Sequence, residues 1–336
     1  MNKMMPSTLK ALVWVSSMLF FLLLVSLFAG LSVGSAGGGL EWVWQSLTGQ
    51  LEAGSIRDAI IWQIRFPRVL LAALVGATLS LGGLVFQALL RNPLAEPYIL
   101  GVSGGSAIGA IIGILAGFSK FPGVSITAFI GSIATLLMIL GMSSGQSILK
   151  KDSLLLSGVM VNAFCSAVIM FLISLARDSR IHSIMFWLMG DLSLVKIEHV
   201  GMLAAIIFPC FILVFWYSNP MNLLLLGKEM AQSMGVNTKA VTVTLLVITS
   251  LMVSATVSQC GLIGFVGLVI PHLLRLVFGP DHRILVPACV LGGGAYMVLC
   301  DLLARSLPKQ GEMPVGVITA MIGAPLFIFL LKRSGR

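Results

Sequence analysis

The chain has 336 residues, 58% of them hydrophobic and only 10% charged, and a net charge of +9. So much apolar surface cannot be hidden in a soluble core, which makes this an integral membrane protein. The positive balance is not gathered into a basic run or face, which argues against nucleic-acid binding and assigns the charge to membrane topology.

A spanning helix needs roughly 20 apolar residues. Ten stretches qualify, near 11–33, 69–90, 99–118, 124–142, 154–175, 200–217, 240–258, 264–278, 284–303 and 314–331. The first follows Lys3 and Lys10 as a secretory leader would, but at about 23 residues it exceeds the usual 7–15 residue apolar region and reads as a retained helix. The segment from Gly34 to Pro67 carries Trp42, Trp44 and Trp62, which suits an interfacial stretch. After the second span, Pro93 and Pro97 in RNPLAEP forbid a continuous helix between Arg91 and Tyr98. The third span then carries Gly101, Gly105, Gly109, Gly113 and Gly117 at four-residue spacing, a stripe that lets another backbone approach.

Farther along, ARDSRIHSIMFWLMGDLS (176–193) predicts a short helix outside the spans, with Arg177, Arg180 and His182 available to a cargo carboxylate or neutralised by Asp178 and Asp191. Residues 223–239 (LLLLGKEMAQSMGVNTK) place Leu226, Met230, Ala231 and Met234 at helical spacing against Lys228, Glu229, Gln232 and Ser233. That amphipathic segment between two spans is a natural docking knob. In the second half, VSQCGLIGFVGLVIPHLLR repeats the pattern of a span, a glycine-rich break and a proline seen around RNPLAEP. Equivalent elements five spans apart cross the bilayer in opposite senses, the inverted repeat of many transporters. Asp301 and Arg305 have the i, i+4 spacing of an intrahelical pair.

Ten spans put both termini on one side, and Lys3, Lys10, Lys332, Arg333 and Arg336 argue that this side is cytoplasmic. No Ser/Gly linker or charge run divides the chain, so residues 1–336 read as one transmembrane domain. The five cysteines never form a CxxC pair, and His272 has no Cys, Asp or Glu at ligand spacing, so neither a disulfide framework nor a metal site is expected. His272 reads instead as a hydrogen-bonding partner for a broken helix end. There is no GxxxxGK[ST] loop, HExxH or GxSxG. An ion-coupled secondary transporter would place acidic groups near the bilayer midplane, whereas these acids cluster at span ends.

RFPRVLLAALVGA (65–77), LLRNPLAEPYILGVSGG (89–105), GKEMAQSMGV (227–236), GLIGFVGLVIPHLLRLVFGPDHR (261–283) and MPVGVITAMIGAPLFIFLLKR (313–333), in that order, resemble the permease family of ABC importers for ferric siderophores, haem and cobalamin. The resemblance covers nearly the whole chain. It implies an all-α, ten-helix permease of a bacterial inner membrane that pairs with a second copy of itself around a central pathway. Two ATPase subunits would hold ATP and Mg, and a periplasmic binding protein would deliver the cargo. This chain would bind no cofactor and catalyse no reaction. Molybdate or tungstate cargo, carried by some relatives, stays open as an alternative.

The resemblance also assigns residues. Gly227, Glu229, Ala231 and Gly235 become ATPase-coupling contacts. Arg65, Arg68 and Arg305, which by position alone read as cations snorkelling at span ends, become docking points for acidic side chains of the binding protein. Leu156, Val159, Met160, Asn162, Ala163 and Ser166, with Met170, would line the pathway, although the same residues suit contact with lipid or other helices.

Overall fold

The computed structural model describes residues 6–34, 39–50, 55–142, 151–193, 195–308 and 311–334, and these form helices and connecting turns without a strand. Lys3 and Arg336, two of the cations behind the expected topology, lie outside the described residues, as do parts of the 34–67 segment.

Helix α1 (Pro6–Ser32) is followed by the short α2 (Leu40–Leu47) and α3 (Ile56–Ala59). A π-turn over Ile60–Arg65 joins α3 to α4 (Phe66–Leu90), so one helix runs through Ile56–Leu90 rather than starting near 69. Pro67 would break a regular helix by removing a donor; the widened turn before it changes the hydrogen-bond register and lets the helix pass. Trp62 donates its indole N–H to Ser46 Oγ at 2.8 Å, which holds α2 against this extension.

Next come α5 (Val102–Ala116), α6 (Ser125–Met142), α7 (Lys151–Ser174), α8 (Asp178–Leu188), α9 (Ile197–Trp216), α10 (Ser218–Leu226) and α11 (Lys228–Ser233). The chain ends with α12 (Thr238–Cys260), α13 (Val266–Phe278), α14 (His282–Ser306) and α15 (Val315–Ser334). Among the described residues seven helices are long and apolar enough to cross a membrane, and three shorter apolar ones fall at the third, eighth and tenth expected spans. The bundle has a near end, holding Pro6 and Ser334, and a far end, where α1, α5, α7, α12 and α14 finish.

The break after α4 is built by local chemistry. Arg91 adopts a left-handed conformation (φ 48°) that stops the helix, and Asn92 Oδ1 accepts from the Leu94 N–H at 2.9 Å in an Asx turn. The chain then re-enters the bundle. By Pro97 it is level with Gly82, eight residues before Leu90 and therefore roughly 12 Å back along α4. This explains why α5 is short: part of the crossing is non-helical. The break after α12 reaches the same region. Tyr98 Oη donates to Ile263 O at 3.0 Å and accepts from the Ile263 N–H at 3.2 Å, while Glu96 Oε1 accepts from the N–H of Phe265, another left-handed residue (φ 69°). Irregular backbone at membrane depth must find partners inside the protein. Here side chains of the first break supply them to the backbone of the second.

α4 is the central element. It packs against α12, α13 and, most extensively, α14. Gly83 lies so close to Gly267 of α13, and Gly76 to Gly293 of α14, that a Cβ at either position would overlap backbone atoms. The glycine stripe of α5 has a similar role at its centre: a Cβ at Gly105, Gly109 or Gly113 would collide with α6, at Thr135 and Gly131, at the Thr127 backbone, and at Thr127 Oγ1. Gly101 and Gly117 differ. Both have positive φ, 67° and 83°, and bound the helix as caps. The five cysteines, Cys165, Cys210, Cys260, Cys289 and Cys300, are buried and unpaired.

Candidate functional site

The far end gathers the three arginines of the docking expectation, and it does so inside the protein. Arg65, Arg68 and Arg305 are only 3%, 6% and 3% exposed. Arg68 Nε contacts Asp301 Oδ1 at 2.9 Å and its Nη1 reaches Glu312 Oε2 at 2.5 Å. Arg305 Nε meets Asp301 Oδ2 at 3.0 Å, so the i, i+4 pair forms, but Asp301 is shared with α4. Arg65 donates to the carbonyls of Leu31 and Ser32, and Arg305 to those of Gly30 and Val33, so both neutralise the C-terminal end of α1. Glu312, on the turn before α15, is the accessible member, its side chain 37% exposed against 0% for Asp301. Among the described residues, Asp301 and Glu312 are the acids that meet Arg68 and Arg305.

A second group surrounds α8 at the same end. Arg180 donates to the carbonyls of Ile114 and Leu115 at the end of α5, while Arg177 and His182 are exposed. Asp191 pairs with Lys120 at 2.7 Å rather than with these arginines. Burial alone would raise the Asp191 carboxyl, but the Lys120 charge and hydrogen bonds from Lys120 and Ser193 hold it below the usual carboxylate value. Gly117, Phe118, Lys120, Arg180, His182 and Trp187 help to line a cavity of about 440 Å³ here.

On α7 the residues Leu156, Val159, Met160, Asn162, Ala163, Ser166 and Met170 are all exposed, whereas Val161 and Cys165 turn inward. The helix therefore presents a broad uncovered face containing every pathway candidate. Asn162 and Ser166 place small polar groups among the apolar ones, and Ser166 Oγ donates back to Asn162 O at 2.9 Å.

At the near end, residues 223–239 comprise the end of α10, the whole of α11 and the start of α12 rather than one helix. Gly227 (φ 125°, ψ 150°) separates α10 from α11, and Gly235 (φ 83°) turns the chain toward α12, where Asn237 Oδ1 caps the first turn by accepting from the Ala240 N–H at 3.0 Å. A Cβ at Gly227 or Gly235 would meet nothing within 4 Å, so it is the backbone conformation that calls for glycine. Ala231 is fully buried and seats α11. Leu226, Met230 and Met234, which amphipathicity would turn inward, are exposed beside Glu229. The segment's apolar side faces away from the chain.

Sequence reasoning missed a polar joint between α10 and α14. Asn222 bonds Asp281 and His282 at the start of α14, and Asp281 also binds Arg283 through Oδ2···Nη2 at 2.6 Å. Burial would raise the Asp281 carboxyl, but the bonds from Arg283 and Asn222 hold it low. The GPDHR motif contained the signal for one side of this joint; Asn222, some 60 residues away, had none. Nor does His272 bond a helix end: neither ring nitrogen has a hydrogen-bond partner among the described residues, and the ring lies edge-on to Phe327. No group of three His, Cys, Asp or Glu side chains among the described residues is placed to hold a metal ion.

Comparison with known proteins places this geometry. Residues 22–333 match the model of the FecCD transport family. The vitamin B12 import system permease protein BtuC of Salmonella arizonae is 38% identical over 96% of this chain and 95% of its own length. The protein of that name from Salmonella typhimurium is also 38% identical, over 96% of each chain. Among solved structures, a metal-chelate-type ABC transporter in an inward-facing conformation superposes with a TM-score of 0.84 at 32% identity, covering 95% of this chain and 99% of its own. A chain of PsaBC from Streptococcus pneumoniae, solved with a Fab, shares the fold alone, with a TM-score of 0.58 at 18% identity over 85% and 94% of the two chains.

Proposed function

The chain belongs to the FecCD transport family, and on that premise we propose that it is the membrane-spanning permease subunit of an ATP-driven importer for a chelated metal compound, with cobalamin, haem and ferric siderophores as the candidate class. The observation that carries this reading is the outward-facing apolar patch of Leu226, Met230 and Met234 around Glu229, on the short helix α11 and the residues that flank it, outside the spans. Such a patch calls for a protein partner. In this reading each of two ATPase subunits, holding ATP and Mg, seats the 223–239 segment through Glu229 and the turns at Gly227 and Gly235. The buried Ala231, contrary to the sequence expectation, holds α11 to its own chain and makes no contact with the ATPase. The near end with both termini is cytoplasmic.

A second copy of the chain covers the exposed face of α7, so that Leu156, Val159, Met160, Asn162, Ala163 and Ser166 from two subunits line the pathway. Weakly polar, flexible walls suit a large cargo that has to pass without being held. The binding protein docks at the far end. Because Arg65, Arg68 and Arg305 are already engaged, docking exchanges one internal acid for an external one, and the accessible Glu312 is the member that gives way on Arg68. A carboxylate arriving from the binding protein would replace Glu312 through a charge-assisted bond to Arg68.

Purification from the native membrane followed by ATPase measurement in liposomes tests the reading. The expected result is a complex with an ATPase chain whose turnover rises with one loaded binding protein out of a panel carrying haem, cobalamin, ferric siderophores or molybdate. A chain that purifies alone and moves solute on an ion gradient would overturn it.

A further inference from the structure

We infer that Asn222 is the positioning residue that passes displacement of the ATPase-facing segment into α14, making α14 with α4 the rigid link between the two ends of the permease. The inference rests on the importer reading above and goes beyond it. Asn222 lies on α10, next to the buried Met221 and five residues before the Gly227 turn. Its amide is used on both sides: Nδ2 donates to Asp281 Oδ1 at 2.8 Å, and Oδ1 accepts from the His282 backbone N–H at 2.8 Å. His282 Nδ1 is also 2.8 Å from that oxygen. The opposite amide orientation would set an NH2 group against the backbone donor, so the orientation is fixed and Nδ1 carries the ring proton. All three bonds end on the N-cap and first residue of a 25-residue helix, about 37 Å long by rise.

The remainder of that helix is locked to α4. Gly293 and Gly76 bring the two backbones into contact at mid-length, and at the far end Asp301 holds Arg68 of α4 and Arg305 of α14 together. A pair fixed at two levels moves as a body. α10 is the element that joins this body to α11, and its polar hold on α14 is Asn222. A push on α11 therefore reaches the arginine cluster where docking is read, and a docked partner pulls on the same joint in reverse, as reciprocity requires.

The test uses the full complex in liposomes with its ATPase and loaded binding protein, reading basal turnover, stimulated turnover and uptake. Asn222→Ala should leave basal ATP turnover in place and reduce the binding-protein stimulation about fivefold, the ratio carried by the loss of roughly 1 kcal/mol of hydrogen bonding. Asn222→Asp keeps the acceptor for His282 but sets a carboxylate against Asp281, and should uncouple at least as strongly. Full stimulation in Asn222→Ala or Asn222→Asp overturns the inference, as does an equal fall of basal and stimulated rates in both. If the parent complex shows no ATPase stimulation at all, it is the importer reading that has failed.

Discussion

Helices α4 and α7 have 25 and 24 residues and nearly equal mean hydropathy, yet they occupy opposite surroundings. The most apolar stretch of the α4 span is 83% buried within the chain, and that of α7 only 17%. α4 is enclosed by its own chain on every side and carries glycines where other backbones touch it. α7 leaves Val159 and Met160 each 62% exposed. Hydropathy reports that a segment crosses a membrane; it says nothing about whether lipid, a second subunit or its own chain surrounds it.

The strongest way to break this contrast is to add volume to α4. Gly83→Leu or Gly76→Leu sets a side chain against the backbone of Gly267 or Gly293. Because backbone cannot rotate aside, the cost should reach or exceed about 3 kcal/mol, the top of the usual overpacking range. Size-exclusion chromatography of the solubilised protein should show loss of the folded peak, whereas Gly201→Ala on α9, with open space around its Cα, should elute unchanged.

Next in size is the charge that α4 shares with α14. Asp301→Ala strands Arg68 and Arg305 without their common partner and should destabilise the protein by about 3–5 kcal/mol. A thermal unfolding series in detergent would check this, and an unchanged midpoint would show that Glu312 suffices for Arg68 and the α1 carbonyls for Arg305. Glu312→Gln at the rim of the same cluster should act on function instead. Removing the internal competitor should tighten binding-protein docking about fivefold, a pair energy of roughly 1 kcal/mol for a half-exposed site, and should steepen its salt dependence. Surface-plasmon titration at two ionic strengths reads both effects, and weaker docking would reject the exchange of acids.

The smallest expected effect on stability sharpens the comparison from the other side. Met160→Ala or Val159→Ala should shift the unfolding free energy of the single chain by less than about 0.5 kcal/mol, as at an ordinary exposed site. The same changes should lower uptake if two α7 faces form the pathway. A large loss of stability in the isolated chain would mean that this face is covered internally after all.

The same contrast explains what the sequence could reveal. The spans were legible because 20 apolar residues have few other uses, and the break after α4 because Pro93 and Pro97 leave no helical alternative. The centre of the glycine stripe, Gly105 to Gly113, was readable from spacing; the cap roles of Gly101 and Gly117 depend on φ, which spacing does not encode. The arginine cluster was not legible as a buried site. An arginine near a span end looks interfacial, and the acids that draw Arg68 inward are Asp301 and Glu312, 233 and 244 residues away. The unbroken helix through Pro67 was hidden for a related reason, since a π-turn relieves the clash that proline normally signals. On α7, leucine, valine and methionine fit lipid and a partner equally well, so only packing could show which residues the chain itself leaves uncovered.

Five buried, unpaired cysteines also make this chain a convenient carrier for chemical probes. Thiols enclosed in apolar surroundings are inert to soluble reagents, so a cysteine introduced on the open face of α7, at Met170 for example, would react against a silent background. On the proposed pairing of two copies, spin labels placed there would report the distance between the two α7 faces through a transport cycle, without first replacing any native cysteine.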